Sequence, residues 1–272
     1  MEDIPTVAIK NKKDSSMVKG LNLLKEDNVD VFVSAGNSGA LLTGATLLIG
    51  RIKGVNRPAL FATLPSTRGP VSIFDTGANT NCREINFIQF AQMGSIYLSE
   101  KGIKNPKVGL INIGTEENKG NELYKTVYKD LTENADKYHI NFIGNVEGRN
   151  IMSGNVDVDL VICDGFTGNI IVKTIEGMAN FVKYVIKESL MKTTFDKLKL
   201  IFARDGFKKV KVASDYKRYG GGLFLGVKKN LVKAHGNSDE MAFYYVLKQA
   251  EEYAKSGVLD RIEKEIAIKI KD

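Results

Sequence analysis

Residues 29–40 read Val29-Asp-Val-Phe-Val-Ser34-Ala-Gly-Asn-Ser-Gly-Ala40: a β-branched run, a turn of small residues, and the start of an apolar periodic stretch that continues to Ile49. A strand that feeds a Gly-rich turn and then a helix is the building unit of parallel α/β sheets. The same succession recurs outward in both directions. Strands are expected over 29–34, 59–64, 71–75, 108–113, 140–143, 160–163, 223–227 and 231–234, and helices over 15–25, 38–49, 83–101, 122–134, 169–191, 239–255 and 260–271. This predicts an α/β fold, a mostly parallel sheet with helices on both faces. No repeat or Pro/Ser-rich linker divides the chain, so one domain is expected over 1–272. The helix at 15–25 takes its N-cap from Asp14 or Ser15, with no strand before it. A βα fold seldom begins on a helix, and an N-terminal strand is expected to be missing.

Composition narrows the function classes. The 272 residues hold 39 Lys+Arg, 32 Asp+Glu, two His, two Cys and no Trp. Cys82 and Cys163 make no disulfide framework, and a zinc site is hard to assemble from so few Cys and His. Both cysteines read as small apolar residues. No run of about 18 apolar residues occurs and the N-terminus is charged, which predicts neither a membrane span nor a signal peptide, and a cytoplasmic address. The net charge of +7 is local. Between Lys183 and Arg218 eleven basic residues face four acidic ones, so that window alone carries +7 and the rest of the chain is balanced. Nucleic acid would require a broader basic footprint with aromatic platforms, and is not expected as a partner.

In open α/β sheets ligands sit beyond the carboxyl ends of strands. The loop Ser34, Gly36, Asn37, Ser38, Gly39 opens a helix, where free N–H groups and the dipole favour an anion; the same residues also suit a tight βα turn with an ordinary cap. It is neither a Walker loop nor a dinucleotide fingerprint. Four further loops combine Gly with Asn, Asp or Glu: 75–79, 112–121, 144–149 and 164–169. Each alone is compatible with turn chemistry. Five on one edge would form a polar rim rich in backbone N–H groups. Lys173 is expected one turn into the following helix, where the dipole disfavours a cation; it either pairs with an anion or extends to solvent. His235 joins a strand to a helix within His235-Gly-Asn-Ser-Asp239, whereas His139 reads as structural.

Taken together, Lys12-Lys-Asp-Ser-Ser-Met17, Ser34-Ala-Gly-Asn-Ser-Gly-Ala40, Arg57-Pro-Ala59, Asp75-Thr-Gly-Ala-Asn79, Asn86-Phe-Ile-Gln-Phe-Ala-Gln-Met-Gly94, Gly144-Asn-Val-Glu-Gly-Arg149, Asp164-Gly-Phe-Thr-Gly-Asn169, Tyr219-Gly-Gly-Gly222 and His235-Gly-Asn-Ser-Asp239 resemble the PlsX family of bacterial phosphate acyltransferases. The motifs run in order over nearly the whole chain. The resemblance implies an isocitrate/isopropylmalate dehydrogenase-like, phosphotransacetylase-like sheet. It implies conversion of acyl-[acyl carrier protein] and inorganic phosphate into acyl phosphate, used in phospholipid synthesis by a membrane acyl-phosphate glycerol-3-phosphate acyltransferase. It also implies a homodimer lying peripherally on the inner face of the cell membrane. Family members usually open with a strand bearing Asp-Ala-Met-Gly-Gly-Asp, absent here. Ser38 stands where Thr is common, and Asn81 where Asp is common.

That reaction needs no protein nucleophile, because phosphate is itself the nucleophile and a thiolate is a tolerable leaving group. It needs positioning, charge neutralisation and donors for the developing oxyanion. The expected roles are phosphate binding by Ser34, Gly36, Asn37, Ser38 and Gly39 with Lys173; proton or oxyanion donation by His235 and Ser238; and loop support by Asp75, Asn79, Glu147, Asp164 and Asn169. No cofactor and no metal are called for. Apolar residues Ile171, Ile175, Met178, Val182, Val185 and Leu190 recur at near-heptad spacing, as in a helix that packs on a partner helix. Residues 170–218 are read as a helical protrusion, with Leu190, Met191, Phe195, Leu198, Ile201, Phe202 and Phe207 among lysines that suit an anionic membrane surface, the acidic carrier protein, or an ordinary buried helix with a solvated face. The alternatives are an isopropylmalate-type NAD-dependent dehydrogenase and a non-catalytic membrane-surface scaffold.

Overall fold

The structure is a computed structural model and describes residues 4–190, 216–236 and 238–269. Eight strands form one sheet: β1 (Val31–Ser34), β2 (Ala59–Leu64), β3 (Val71–Phe74), β4 (Lys107–Asn112), β5 (Asn141–Glu147), β6 (Leu160–Ile162), β7 (Gly222–Leu225) and β8 (Asn230–Lys233). They lie in the order β1-β8-β7-β2-β3-β6-β4-β5. The pairs β1·β8, β3·β6, β6·β4 and β4·β5 are parallel. The three central pairs, β8·β7, β7·β2 and β2·β3, are antiparallel. Short links explain two of the three reversals: residues 65–70 and 226–229 cannot carry a crossover and close hairpins instead, whereas β7·β2 is a long-range pairing.

These reversals correct the single-edge reading of the loops. β1, β8 and β2 run one way and the other five strands run the opposite way. The turns after β3, β4, β5 and β6 therefore open on one edge, while loop 34–40 and the turn at His235 open on the other.

The helices are α1 (Pro5–Asn11), α2 (Ser16–Lys25), α3 (Ser38–Gly44), α4 (Glu84–Glu100), α5 (Glu122–Tyr138), α6 (Gly148–Ser153), α7 (Gly165–Leu190), α8 (Glu240–Lys255) and α9 (Val258–Lys269). They cover both faces. Leu60, Phe224 and Leu231 pack with Leu21 of α2 and Leu41 of α3, and their neighbours Phe61, Leu223 and Val232 belong to the larger core with α4 and α8. Strand alternation produces that division. α4 is buried on every side from Asn86 to Leu98. Its polar side chains there include Gln89, which accepts from the Asn56 N–H at 2.7 Å and donates to the Gly54 carbonyl at 2.6 Å, tying the 51–56 loop to the core.

Several boundaries move. α1 and α6 are unanticipated short helices, and β5 extends to Glu147 through an irregular register, absorbing most of the loop expected at 144–149. The helix expected over 38–49 loosens into a π-helical turn at Ala45–Ile49. α7 begins at Gly165 rather than 169, because Asp164 accepts from the Thr167 N–H at 2.9 Å and caps it.

Phe61 is fully buried, with its ring 4.9 Å from Tyr97 and 5.5 Å from Phe74. Phe61→Ala is expected to lower the unfolding free energy by about 3–5 kcal/mol. A urea titration showing a loss below about 1 kcal/mol would refute this placement of the core.

Candidate functional site

Asp75 follows β3 and is fully buried. Its carboxylate accepts from the backbone N–H groups of Leu60 at 3.1 Å, Gly77 at 3.0 Å, Ala78 at 2.9 Å and Asn79 at 2.7 Å, and from Nδ2 of Asn79 at 2.9 Å. Burial pushes the Asp75 carboxyl up, and these donors oppose the shift. The turn so wound is locked to the start of α7. Gly165 donates its N–H to the Asn79 carbonyl at 2.7 Å, and Asn169 Nδ2 donates to the Thr76 carbonyl at 3.3 Å. A Cβ on Gly168 would stand 1.9 Å from the Asp75 carbonyl oxygen, so only glycine permits the approach.

From that anchor α7 crosses toward β8. Asn169, Val172, Lys173 and Glu176 share one helical face over a cavity of roughly 180 Å³. Opposite them stand Ser38, Thr76, Gly77, the Gly220–Gly222 run, Lys233 and His235. Lys173 Nζ pairs with Glu176 Oε2 at 2.8 Å, and Glu176 Oε1 lies 3.4 Å from His235 Nδ1. Lys233 Nζ donates to the Ala234 carbonyl. Burial pushes the Lys233 ammonium below its usual range, and the charge of Lys173 presses in the same direction. Burial likewise lowers the His235 imidazole; Glu176 opposes this, while Lys173, Lys233 and Lys217 add to it. A half-buried ammonium, Lys233, repelled by the more exposed one of Lys173 beside a cavity is an arrangement an anion would relieve.

The structure brings Lys173, His235, Ser38 and Asn169 together at this cavity. Ser238 stands behind His235, its Oγ donating to the His235 carbonyl at 2.8 Å. Asp75 and Asn79 act from beneath. Asp164 caps α7 and accepts from the Tyr124 hydroxyl at 2.5 Å. Ser34, Gly36, Asn37 and Gly39 do not line the cavity. The polar groups of that loop serve the turn: Ser34 Oγ accepts from the Gly36 N–H at 3.2 Å and Asn37 Oδ1 from the Ala40 N–H at 3.0 Å. Glu147 lies apart, paired with Arg149 at 2.7 Å. Lys173 is more than two turns into α7, so the helix dipole gives it no special place there.

Sequence reading missed Glu176 and Lys233. Glu176 was legible as i+3 from Lys173; Lys233 reads as a strand residue until antiparallel pairing with Gly222 brings it to the cavity. The thiols keep their protons: burial pushes Cys82 up to about 12 and raises Cys163 well above the usual thiol range. His139 adopts a left-handed conformation that ends α5, a structural role. Of the membrane-facing residues, the Leu190 side chain and Met191, Phe195, Leu198, Ile201, Phe202 and Phe207 lie outside the described residues. Among the described residues no helix is long and apolar enough to cross a membrane, and no three His, Cys, Asp or Glu side chains cluster as metal ligands.

A family model described as "Fatty acid synthesis protein" matches residues 1–261. Curated relatives include the phosphate acyltransferase of Thermoanaerobacter pseudethanolicus, 47% identical over 97% of this chain and 78% of that protein. Another is the phosphate acyltransferase of Clostridium kluyveri, 48% identical over 96% of this chain and 77% of that protein. Among solved structures, the EutD phosphotransacetylase of Staphylococcus aureus superposes with a TM-score of 0.54 at 14% identity, covering 86% of this chain and 66% of the other. A branched-chain phosphotransacylase of Enterococcus faecalis gives 0.53 at 13%, covering 93% and 80%. The two structural likenesses establish the fold.

Asp75→Ala would leave four backbone N–H groups unpaired and is expected to cost at least about 3 kcal/mol; an unchanged urea midpoint would remove Asp75 as the anchor. The His235 imidazole has a folded pKa below its unfolded value of about 6.5. Its contribution to stability is therefore full above about pH 6.5 and lost as pH falls toward the folded pKa. Urea titrations between pH 7.5 and 5 should show a shallower decline for His235→Gln than for the parent, and parallel declines would contradict the burial effect.

Proposed function

The chain belongs to the PlsX family of phosphate acyltransferases, and on that premise we propose that the cavity between Lys173, Lys233 and His235 holds inorganic phosphate for attack on an acyl thioester. The activity is transfer of an acyl group from acyl-[acyl carrier protein] to phosphate, giving acyl phosphate and the free carrier thiol. The carrying observation is that both lysines and the imidazole converge on one cavity, where burial and neighbouring positive charge weaken the protonated forms of Lys233 and His235.

The chemistry follows from the groups present. A phosphate oxygen attacks the carbonyl carbon, the carbon–sulfur bond breaks, and the proton of monohydrogen phosphate ends on the departing sulfur. Lys173 and Lys233 neutralise the phosphate, with the Ser38 hydroxyl beside them. His235 donates to the developing oxyanion or carries the proton, and Ser238 holds its turn. Asp75, Asn79, Asp164 and Asn169 keep the walls in register. Burial raises both thiols above their ordinary range, which supports direct transfer without a cysteine nucleophile.

The same reading extends to partners. α7 begins in the core with Ile171 and Ile175 and then leaves it, exposing Met178, Phe181, Val182 and Val185. A second copy of the chain is the proposed occupant of that face, since near-heptad spacing suits helix pairing. The basic window is proposed to meet an anionic bilayer at the inner face of the cell membrane, or the acidic carrier protein, and to bring the product near the acyl-phosphate glycerol-3-phosphate acyltransferase.

Lys173→Ala and Lys233→Ala are each expected to lower kcat/KM for phosphate roughly 10- to 100-fold, the worth of a charge-assisted hydrogen bond of about 1.5–3 kcal/mol. The assay is acyl phosphate formation from purified protein, acyl carrier protein thioester and phosphate; turnover and phosphate dependence unchanged in both variants would exclude this cavity. For the membrane, the parent should float with anionic liposomes and a variant with polar replacements at Phe195 and Phe202 should not. Equal failure to float would end that reading.

A further inference from the structure

A carboxylate lies inside the proposed phosphate cavity, where it would repel the substrate unless it serves the groups around it. Glu176 is that carboxylate. Its side chain is only 13% exposed and lies between two cations of the site. Oε2 holds the Lys173 ammonium at 2.8 Å. Oε1 is buried and makes no hydrogen bond of good geometry, with Nδ1 of His235 facing it at 3.4 Å.

An imidazole beside a fixed acceptor keeps its proton on the nitrogen that faces that acceptor, which leaves the other nitrogen as the working one. We propose that Glu176 is the positioning residue of the site: Oε1 fixes the Nδ1–H tautomer of His235 and turns Nε2 to the phosphate, while Oε2 sets the place of the Lys173 ammonium. This rests on the assignment of the cavity to phosphate.

The proton balance gives Nε2 its task. Neutral His235 accepts the proton of the phosphate hydroxyl at Nε2 as the oxygen–carbon bond forms. It returns that proton to sulfur as the carbon–sulfur bond breaks, and is regenerated neutral. During the transfer the imidazolium is stabilised by the Glu176 charge at the other nitrogen. The groups facing His235 from the surrounding elements are Glu176 and Lys173 on α7, Lys233 on β8 and Lys217 on the 3₁₀ turn Tyr216–Tyr219. Among the described residues Glu176 is the carboxylate that acts on His235 against these cations, of which Lys217 is itself paired with Asp239 at 2.6 Å. Its removal lets the cations depress the imidazole further.

The chain has two histidines, so nitrogen-15 NMR reads both imidazoles, and a His139→Asn variant assigns them. In the parent, neutral His235 should carry its proton on Nδ1 and shift when inorganic phosphate is added. Glu176→Gln keeps an acceptor and loses the charge: the His235 midpoint should fall by about 0.5–1 pH unit with the tautomer retained. Glu176→Ala should lower the midpoint and also lose the tautomer preference. Both variants should lose kcat by about 10- to 100-fold while KM for phosphate stays level or falls, because a repelling carboxylate has left the cavity. A merely structural role would leave the His235 midpoint in place and raise KM as the cavity loosens. A midpoint unmoved in Glu176→Gln, or an unchanged tautomer in Glu176→Ala, overturns the proposal. If the pairing holds but His235 ignores phosphate, the cavity assignment falls and the positioning role falls with it.

Discussion

The Asp75 carboxylate is the constraint on which the rest of the site depends. It draws in the N–H of Leu60 from β2 and three consecutive N–H groups of its own turn. A buried anion is tolerated only where donors replace its lost water, and here backbone geometry supplies them. The turn cannot then relax without exposing that charge to an unpaired environment. Gly165 and Gly168 pack on the same turn through contacts that no side chain would permit. The first turn of α7 is thereby placed relative to β2 and β3, and Lys173 and Glu176, rigidly spaced along that helix, inherit their positions.

The antiparallel centre of the sheet gives this placement its consequence. In an all-parallel sheet every loop that follows a strand would lie at the edge where α7 begins, and α7 would run away from all of them. Here β1, β8 and β2 run against the other five strands, and α7 starts at one edge and reaches His235 at the other. The cavity thus collects residues from α3, the β3 turn, α7, β7 and β8. Its floor over Leu60, Ala62 and Leu64 is strand surface, which is stiffer than loop and suits a site that must hold charges a few ångströms apart.

Much of this was legible from residues alone. The α/β alternation, the loops that follow β3 and β6, and the choice of Lys173 and His235, which the fold brings to one cavity, follow from local pattern. The short links at 65–70 and 226–229 carry the hairpins in the sequence itself, but the β2·β7 pairing, which sets the direction of β7 and β8 against the rest, was not legible, because no local pattern specifies it. Loop 34–39 looked like an anion cradle since it has the small residues of one. Its own Ser34 and Asn37 use the donors internally, which only coordinates reveal. Lys233 looked like an ordinary strand lysine for a related reason: alternation predicts the face it takes but not what lies opposite.

Charge completes the account at two scales. The excess of +7 lies in a window whose middle is outside the described residues, and the docking proposed for it is separate from the chemistry of the cavity. The cavity has its own balance, with Lys173, Lys233 and His235 against Glu176. Burial and neighbouring positive charge weaken the hold of Lys233 and His235 on their protons. On the proposed assignment a phosphate dianion offsets that charge, and binding strength follows from it. The carboxylate limits the gain. A cavity of cations alone would hold phosphate so firmly that attack would have to begin from a deep well, whereas interactions shared equally by ground and transition states do not raise turnover. In the proposed role Glu176 lowers ground-state binding and supports the group whose charge rises as the proton moves, so its cost falls on the bound substrate and its benefit on the transition state.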